Sequence, residues 1–343
     1  MKPEQSERIL VEELFKKTIN KNLLSDDSIV NIEKLTGDAS TRKYYRIWTT
    51  KESYVVCLDN PLAEVKDEPT FIKLQRVLNS EKVSVPQIYD KELATGYILE
   101  EDLGDITFLK DIAFAKDLTH EFLYYKEAID LMQSIHNINV EKYQDETFTK
   151  LAFDTEKLYQ EMEFTRKYFL QMYLGLDPQM PAVQDLYKKL NQICHRLSDE
   201  KRVLVHRDYH SRNIMIKNGK QIVIDFQDAR MGTPIYDLVS LLEDCYYQIS
   251  HDNKENLKRY YFDQYFKNFD SKSYQEFEEL YDMMAIQRVF KAIGSFAYIY
   301  ADRKDLRYIK YIGYSFEKVR AIMFKYPNLA HERKILASLY YAN

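Results

Sequence analysis

The chain has 343 residues, enough for a sizeable core and, against the usual run of about 100–200 residues per domain, for two lobes. Its 49 basic and 54 acidic side chains leave a formal net charge of −5, which gives no global electrostatic handle for nucleic acid or an anionic membrane. Hydrophobic residues make up 45%, too many for a disordered chain, and charges interrupt every apolar run well before the roughly 18 residues of a membrane span.

In chain order, the opening stretch reads as a helix, with Ile9, Leu10, Leu14 and Phe15 at helical spacing, and it lacks the apolar region and small-residue cleavage site of a secretory signal. The three cysteines, Cys57, Cys194 and Cys245, form no CxxC pair, so the expectation is a reduced, cytoplasmic protein without structural zinc. Residues 30–59 change to strand-like text interrupted at Gly37 and at 49–53, the pattern of a three-stranded meander. A helix near Pro69 and two short strands around 87–89 and 97–100 follow. From there apolar residues recur at helical spacing over 108–139, 154–175, 183–197 and 236 to the end. Met283, Met284, Ile286, Val289, Phe290 and Ile293 read as core positions of a late helix. The order of these elements, strands mostly within 1–101 and helices over most of 102–343, suits an α+β chain with a small antiparallel β-sheet lobe, five-stranded with one packed helix, and a mainly helical lobe.

One compact stretch, 203–231, interrupts the helices and carries the chemistry. Val203-Leu204-Val205 is a short apolar strand feeding a polar loop, 206–213. Two further strands flank Asn218-Gly219, a hairpin signal, so the second delivers Asp225 where the first delivers Asp208. Asn213 and Asp225 offer the hard oxygen ligands Mg²⁺ prefers, which leaves Asp208 to accept a hydroxyl proton. Phosphoryl transfer needs this division of labour, a metal clamp for phosphate charge and a carboxylate that orients the attacking oxygen. The loop His206-Arg207-Asp208-Tyr209-His210-Ser211-Arg212-Asn213 has the kinase catalytic-loop spacing, and Asp225-Phe226 stands where a kinase has its metal-binding Asp-Phe-Gly.

This block resembles the aminoglycoside phosphotransferase and choline kinase-like superfamily. Four stretches, 37–46, 100–105, 206–213 and 224–242, resemble the bacterial N-acetylmuramate/N-acetylglucosamine anomeric kinases of cell-wall recycling. The resemblance implies a bilobal protein kinase-like fold with Asp208 as catalytic base, Asn213 and Asp225 as Mg²⁺ ligands and Asp237 as the structural anchor of the catalytic loop. Gly37, Asp38, Ser40 and Thr41 would form the phosphate loop, and Glu101 and Leu103 the hinge that binds adenine. His210, Gln227, Asp228, Glu161 and Arg288 are the substrate-side candidates; Arg166, Tyr168 and Tyr173 share the stretch of Glu161. The Arg288 fork suits a lactyl carboxylate, whereas Lys291 reads as part of a surface charge row.

Two departures from protein kinases stand out. Cys57 occupies the place of the third-strand lysine, and no Gly-x-Gly-x-x-Gly is present. Arg46 is the expected replacement cation, because a turn centred between Lys51 and Glu52 would pair it directly with Cys57; Arg42 is the alternative donor. The function expected is ATP- and Mg²⁺-dependent phosphorylation of an amino sugar's anomeric hydroxyl to give the sugar 1-phosphate. The partners are then ATP and a small sugar, with no nucleic acid and no membrane, and a monomer is the favoured state. Left open are a choline, other amino-alcohol or aminoglycoside kinase and, in another class, a nucleotide-binding pseudokinase scaffold.

Overall fold

Tyr45 and Ile47 on one strand, Tyr54, Val56 and Leu58 on the next, and Tyr97 and Leu99 on a third are all buried, each two residues from the last, as a half-covered sheet requires. They belong to β2 (Lys43–Thr49), β3 (Ser53–Leu58) and β5 (Tyr97–Glu101), which with β1 (Ile29–Leu35) and β4 (Ile88–Glu92) make one five-stranded sheet in the order β1-β2-β3-β5-β4, antiparallel throughout. Val11, Leu14 and Phe15 of helix α1 (Pro3–Asn20) cover that face. The alternate positions, among them Tyr44, Arg46, Val55, Cys57, Ile98 and Glu100, therefore point to the opposite face. Helix α2 (Thr70–Ser80) buries Phe71, Ile72, Leu74, Val77 and Leu78.

The β2–β3 register differs from the expectation. Thr49 closes the turn, its amide and hydroxyl both donating to the Glu52 carbonyl (2.9 and 2.7 Å) while its hydroxyl accepts from the Glu52 amide (3.1 Å). The turn is thereby centred one position earlier than expected. Cys57 lies opposite Tyr44, and Arg46 lies opposite Val55.

The computed structural model describes residues 3–24, 28–35, 42–61 and 68–342, which form two compact units: Met1–Ile106 with Met215–Gln227, and Thr107–Ile214 with Asp228–Asn343. The expected phosphate loop, Gly37, Asp38, Ser40 and Thr41, lies outside the described residues. In the second unit the long helix Tyr274–Arg303 starts from a capping box, Ser273 with Glu276, and buries Met284, Ile286, Val289, Phe290 and Ile293; Met283 is half-buried. Gly294 lets it approach helix Thr155–Thr165, since a Cβ there would sit 2.3 Å from Thr165 Oγ1. The helix expected over 154–175 becomes a π-helix at Arg166–Tyr173, directly after that contact. Among the described residues no helix is long and apolar enough to cross a membrane.

Candidate active site

β6 (Val203–Val205) brings the chain to the loop at 206–213. The loop's first residues are held by a carboxylate that no water reaches. Asp237, fully buried on the helix Ile235–Leu242, accepts the amide of His206 at Oδ2 (2.6 Å) and that of Arg207 at Oδ1 (2.9 Å). His136 Nε2 lies 3.0 Å from the same Oδ2. Arg207 has φ +83°, a left-handed conformation that costs a non-glycine residue on the order of 1–3 kcal/mol and persists only where the surroundings impose it. The Asp237 bonds and the Arg207 ion pair to Asp228 (2.8 Å) supply that restraint. Further along, Tyr209 donates to the Ala128 carbonyl (2.8 Å), and the amide of Ser211 donates to Asp244 (3.0 Å), whose carboxylate also accepts the Ser211 hydroxyl.

Asp208 is presented by this braced loop between two cations. Arg288 Nη2 and Lys291 Nζ each donate to its Oδ1 at 3.1 Å, and Arg207 Nε lies 3.8 Å from Oδ2. Arg288 is fixed in turn by Nε donating to Ser240 Oγ (2.9 Å), and that hydroxyl donates to the Arg207 carbonyl (3.3 Å). Burial alone would raise the pKa of Asp208. The charges of Lys291, Arg288 and Arg207 overcome it and hold the carboxyl well below the usual range. Burial and the neighbouring Arg288 lower the pKa of Lys291. Asn213 uses its amide nitrogen on the Asp208 carbonyl (3.0 Å), which leaves the side-chain oxygen out of that bond.

In the first unit, β7 (Ile214–Lys217) and β8 (Lys220–Val223) form the expected hairpin, with Asn218 and Gly219 both at positive φ, anchored by Ile216 N–H to the Ile106 carbonyl (2.8 Å) and Val223 N–H to the Ser84 carbonyl (2.9 Å). Asp225 follows at φ +64° and accepts from Gln227 Nε2 (2.7 Å), and Phe226 stacks on Phe71 with ring centroids 5.1 Å apart. Leu103 packs with Met215, Ile222 and Ile224 in an apolar patch. Glu101 accepts from Lys217 (2.7 Å).

Arg46 does not stand over Cys57. Arg46 is 5% exposed, and its guanidinium lies within 2.8 Å of Asp102 Oδ2 and 3.0 Å of Asp105 Oδ1; Asp102 also accepts the Gly104 amide (2.9 Å). The guanidinium ties β2 to the segment that follows β5. The cation whose charge acts on Cys57 is Arg42, which pairs with Asp59 (2.9 Å) and lies over the Phe71 ring. Burial, with the Glu100 charge added, pushes the Cys57 thiol up to about 12, and burial pushes Glu100 up to about 7.

Residues 31–277 match the phosphotransferase enzyme family known as APH. The chain belongs to that family. Among relatives of this phosphotransferase, the N-acetylmuramate/N-acetylglucosamine kinase of Neisseria meningitidis is 28% identical over 306 residues, 88% of this chain and 89% of the relative. The kinase of that name from Pseudomonas putida is 30% identical over 310 residues, covering 89% and 87%. Similar solved structures include the ADP-bound aminoglycoside phosphotransferase APH(2'')-Ib, at TM-score 0.60 and 16% identity over 94% of this chain and 98% of that one. The choline kinase LicA from Streptococcus pneumoniae has TM-score 0.59 and 16% identity over 91% and 99%. These place the phosphotransferase in the protein kinase-like fold.

The remaining substrate-side candidates are mostly engaged within the phosphotransferase itself. Glu161 accepts from Gln287 (3.1 Å) and Tyr236 (3.3 Å), Arg166 pairs with Glu163, and the Tyr168 and Tyr173 rings pack on Tyr298 and Tyr300. His210 meets the Tyr246 ring edge-on. Lys291, expected on a surface charge row, is instead largely buried, with a side chain 14% exposed against Asp208. Its signal was present in the sequence: two cations three apart, on one face, inside an otherwise apolar helical run.

Proposed function

We propose that this phosphotransferase moves the γ-phosphoryl group of ATP to the anomeric hydroxyl of an N-acetylated amino sugar, giving the sugar 1-phosphate. The supporting observation is the Asp208 carboxylate, ionised and aimed by two cations, on a loop whose backbone Asp237 holds. The sugar comes from the printed names of relatives that span nearly the whole chain at 28–30% identity. Their name favours a sugar over choline.

Asp208 would accept the hydrogen bond of the sugar hydroxyl, orient its oxygen toward the phosphorus and take the proton as the new O–P bond forms and the bond to ADP breaks. With so low a pKa it acts chiefly by orientation, because a weak base gains little from early proton removal. Lys291 and Arg288 add positive charge beside the transferring group, where negative charge accumulates in the transition state. Asn213 and Asp225 would hold Mg²⁺: a neutral amide oxygen and a carboxylate are the hard donors that ion accepts alongside phosphate oxygens and water. When bound, Mg²⁺ would supply positive charge that offsets the charge of the phosphates. The chain's own contribution there is to fix the two donors, one by the Asn213 bond to the Asp208 carbonyl and the other by the left-handed backbone at Asp225.

The backbones of Glu101 and Leu103 are assigned to adenine, with the apolar patch around Leu103 beneath the base. The phosphate cation is assigned to Arg42, which one carboxylate, Asp59, engages and whose charge acts at Cys57, whereas Arg46 is engaged by two. Gly37, Asp38, Ser40 and Thr41 keep the phosphate-loop assignment. Of the substrate-side candidates, Arg288, His210, Gln227 and Asp228 stay nearest the chemistry through Asp208, Asp225 and Arg207; Glu161 is a positioning residue for Gln287 and Arg207. A cytoplasmic location fits the use of ATP.

The test is ADP release on N-acetylglucosamine, N-acetylmuramate, choline and an aminoglycoside, followed by phosphorus–proton coupling in the product. Coupling to the anomeric proton is expected. Coupling to the C6 protons, or turnover on choline alone, would reject the assignment.

A further inference from the structure

Over its middle, the long helix Tyr274–Arg303 is open to water along a single line. From Met284 to Tyr298 every residue is buried except Lys291, Ser295 and Tyr298, which are half-buried. Their spacing, four residues and then three, puts them on one face of the helix, one above the other. The line begins at the catalytic carboxylate, because Lys291 Nζ donates to Asp208 Oδ1 (3.1 Å). It ends at Tyr298, about 10 Å further along the axis at 1.5 Å per residue. A helical side chain leans toward the N-terminal end of its helix, so Tyr298 leans back along the open line toward Lys291.

Aromatic rings gather at the far end. Tyr298 meets Phe164 of helix Thr155–Thr165, with ring centroids 5.5 Å apart, and Tyr168 of the π-helix Arg166–Tyr173 at 4.8 Å; Phe164 and Tyr168 meet each other at 4.5 Å. Rings that serve only the core are closed to water, as are Phe169 and Phe290 nearby, 0% and 1% exposed and in edge contact. All three members of this trio are half-buried instead. Among the described residues neither the Tyr168 nor the Tyr298 hydroxyl has a hydrogen-bond partner, and neither is sealed from water. A cation stands at each end of the line: Lys291 beside Asp208, and the exposed Lys167, whose Nζ lies 5.0 Å from the centroid of the Tyr168 ring.

A molecule lying on this line must present a hydroxyl to Asp208 at one end and an apolar face to the rings at the other. Between them it meets Ser295, whose hydroxyl donates to the Lys291 carbonyl (3.3 Å) and keeps its oxygen as an acceptor. A pyranose has this form, since its C–H face packs on aromatic rings while its hydroxyls stay hydrogen-bonded. A quaternary ammonium group also favours aromatic rings, but here it would meet like charge at both ends. We propose that Ser295, Tyr298, Tyr168 and Phe164 form the platform on which the phosphoryl-accepting sugar lies, one uncharged or anionic pyranose with a hydroxyl at Asp208. This rests on the role proposed for Asp208 and adds the residues that select a ring.

The experiment is a saturation-transfer NMR titration of N-acetylglucosamine on the full chain with ADP present, for the parent, Tyr298→Ala, Tyr298→Phe and Ser295→Trp, with ADP affinity measured on each. Tyr298→Ala should weaken the sugar at least tenfold while ADP affinity stays within twofold of the parent. Tyr298→Phe, which restores the ring, should recover most of that loss. Ser295→Trp lays an indole across the open line without entering the core and should weaken the sugar as much, which keeps a readout should Tyr298→Ala fold poorly. Choline should not displace the sugar. Sugar affinity unchanged in Tyr298→Ala and Ser295→Trp, a loss in Tyr298→Phe equal to that in Tyr298→Ala, no binding to the parent, or displacement by choline would each overturn the platform. Coupling of the product's phosphorus to the C6 protons, with the sugar affinities as expected, would instead reject the anomeric reading and leave the platform standing.

Discussion

Two charge clusters of opposite construction stand in this phosphotransferase, one in each unit. In the first, a cation sits between two carboxylates: Arg46 with Asp102 and Asp105. In the second, a carboxylate sits between two cations: Asp208 with Arg288 and Lys291. The first is a closed arrangement, its guanidinium enclosed and its Asp102 also bonded to the Gly104 amide. The second carries surplus positive charge on a side chain still a quarter exposed, which suits a centre that must receive an anionic group. Burying a charge for stability and presenting one for chemistry thus differ in which sign is left over.

Breaking each cluster should give different losses. Asp208→Asn should lower kcat by about 10²–10⁴-fold with nucleotide affinity nearly intact, read by steady-state kinetics beside nucleotide titration. Turnover within threefold of the parent would remove Asp208 from its role. Arg46→Ala strands the Asp102 charge in the hinge and should cost about 3–5 kcal/mol in denaturant unfolding, because removing one partner of a buried pair leaves the other uncompensated. Lys291→Met should do the reverse, with little loss of stability and kcat down roughly tenfold or more, since one of the two cations remains on Asp208. If the stability loss fell on Lys291 and the rate loss on Arg46, the comparison would be inverted.

Glu100 sharpens the contrast from the sheet side. Its pKa is raised by burial to about 7 from an ordinary 4.5, so its neutral form is the one the fold favours. The stability this provides is full below about 4.5 and is lost as the pH rises through about 7. Glu100→Gln should therefore raise the melting temperature at pH 8 and change it little at pH 5; a shift of this size is worth at most about 3 kcal/mol. An equal gain at both pH values would show that charge is not the cause.

What the sequence made legible follows from how far apart the partners are. The catalytic loop and the hairpin are contiguous, so His206 to Asn213 and Asn218-Gly219 could be read directly. The parity of β2 was legible too, and it put Tyr44 and Arg46 on the correct face. Its register was not, because the Thr49 side chain fixes the turn through its own bonds to Glu52. The two cations of the clamp were legible as a charged pair inside an apolar helical run, but their partner was not: Arg288 and Lys291 meet Asp208 across 80 and 83 residues, and nothing local in either segment requires the other. Arg46 was misassigned on the same ground, since Asp102 and Asp105 reach it from the hinge, 56 and 59 residues on.

The pH dependence of the single-turnover phosphoryl-transfer rate, at saturating nucleotide and sugar, tests the central claim most directly. A carboxylate clamped by Lys291 and Arg288 stays ionised throughout the neutral range, so the parent's rate should be level from about pH 5 to 8. Lys291→Met, with one cation gone, should acquire an acid limb as the Asp208 pKa rises. A parent rate that falls below about pH 6.5, together with an unchanged profile in Lys291→Met, would contradict the account.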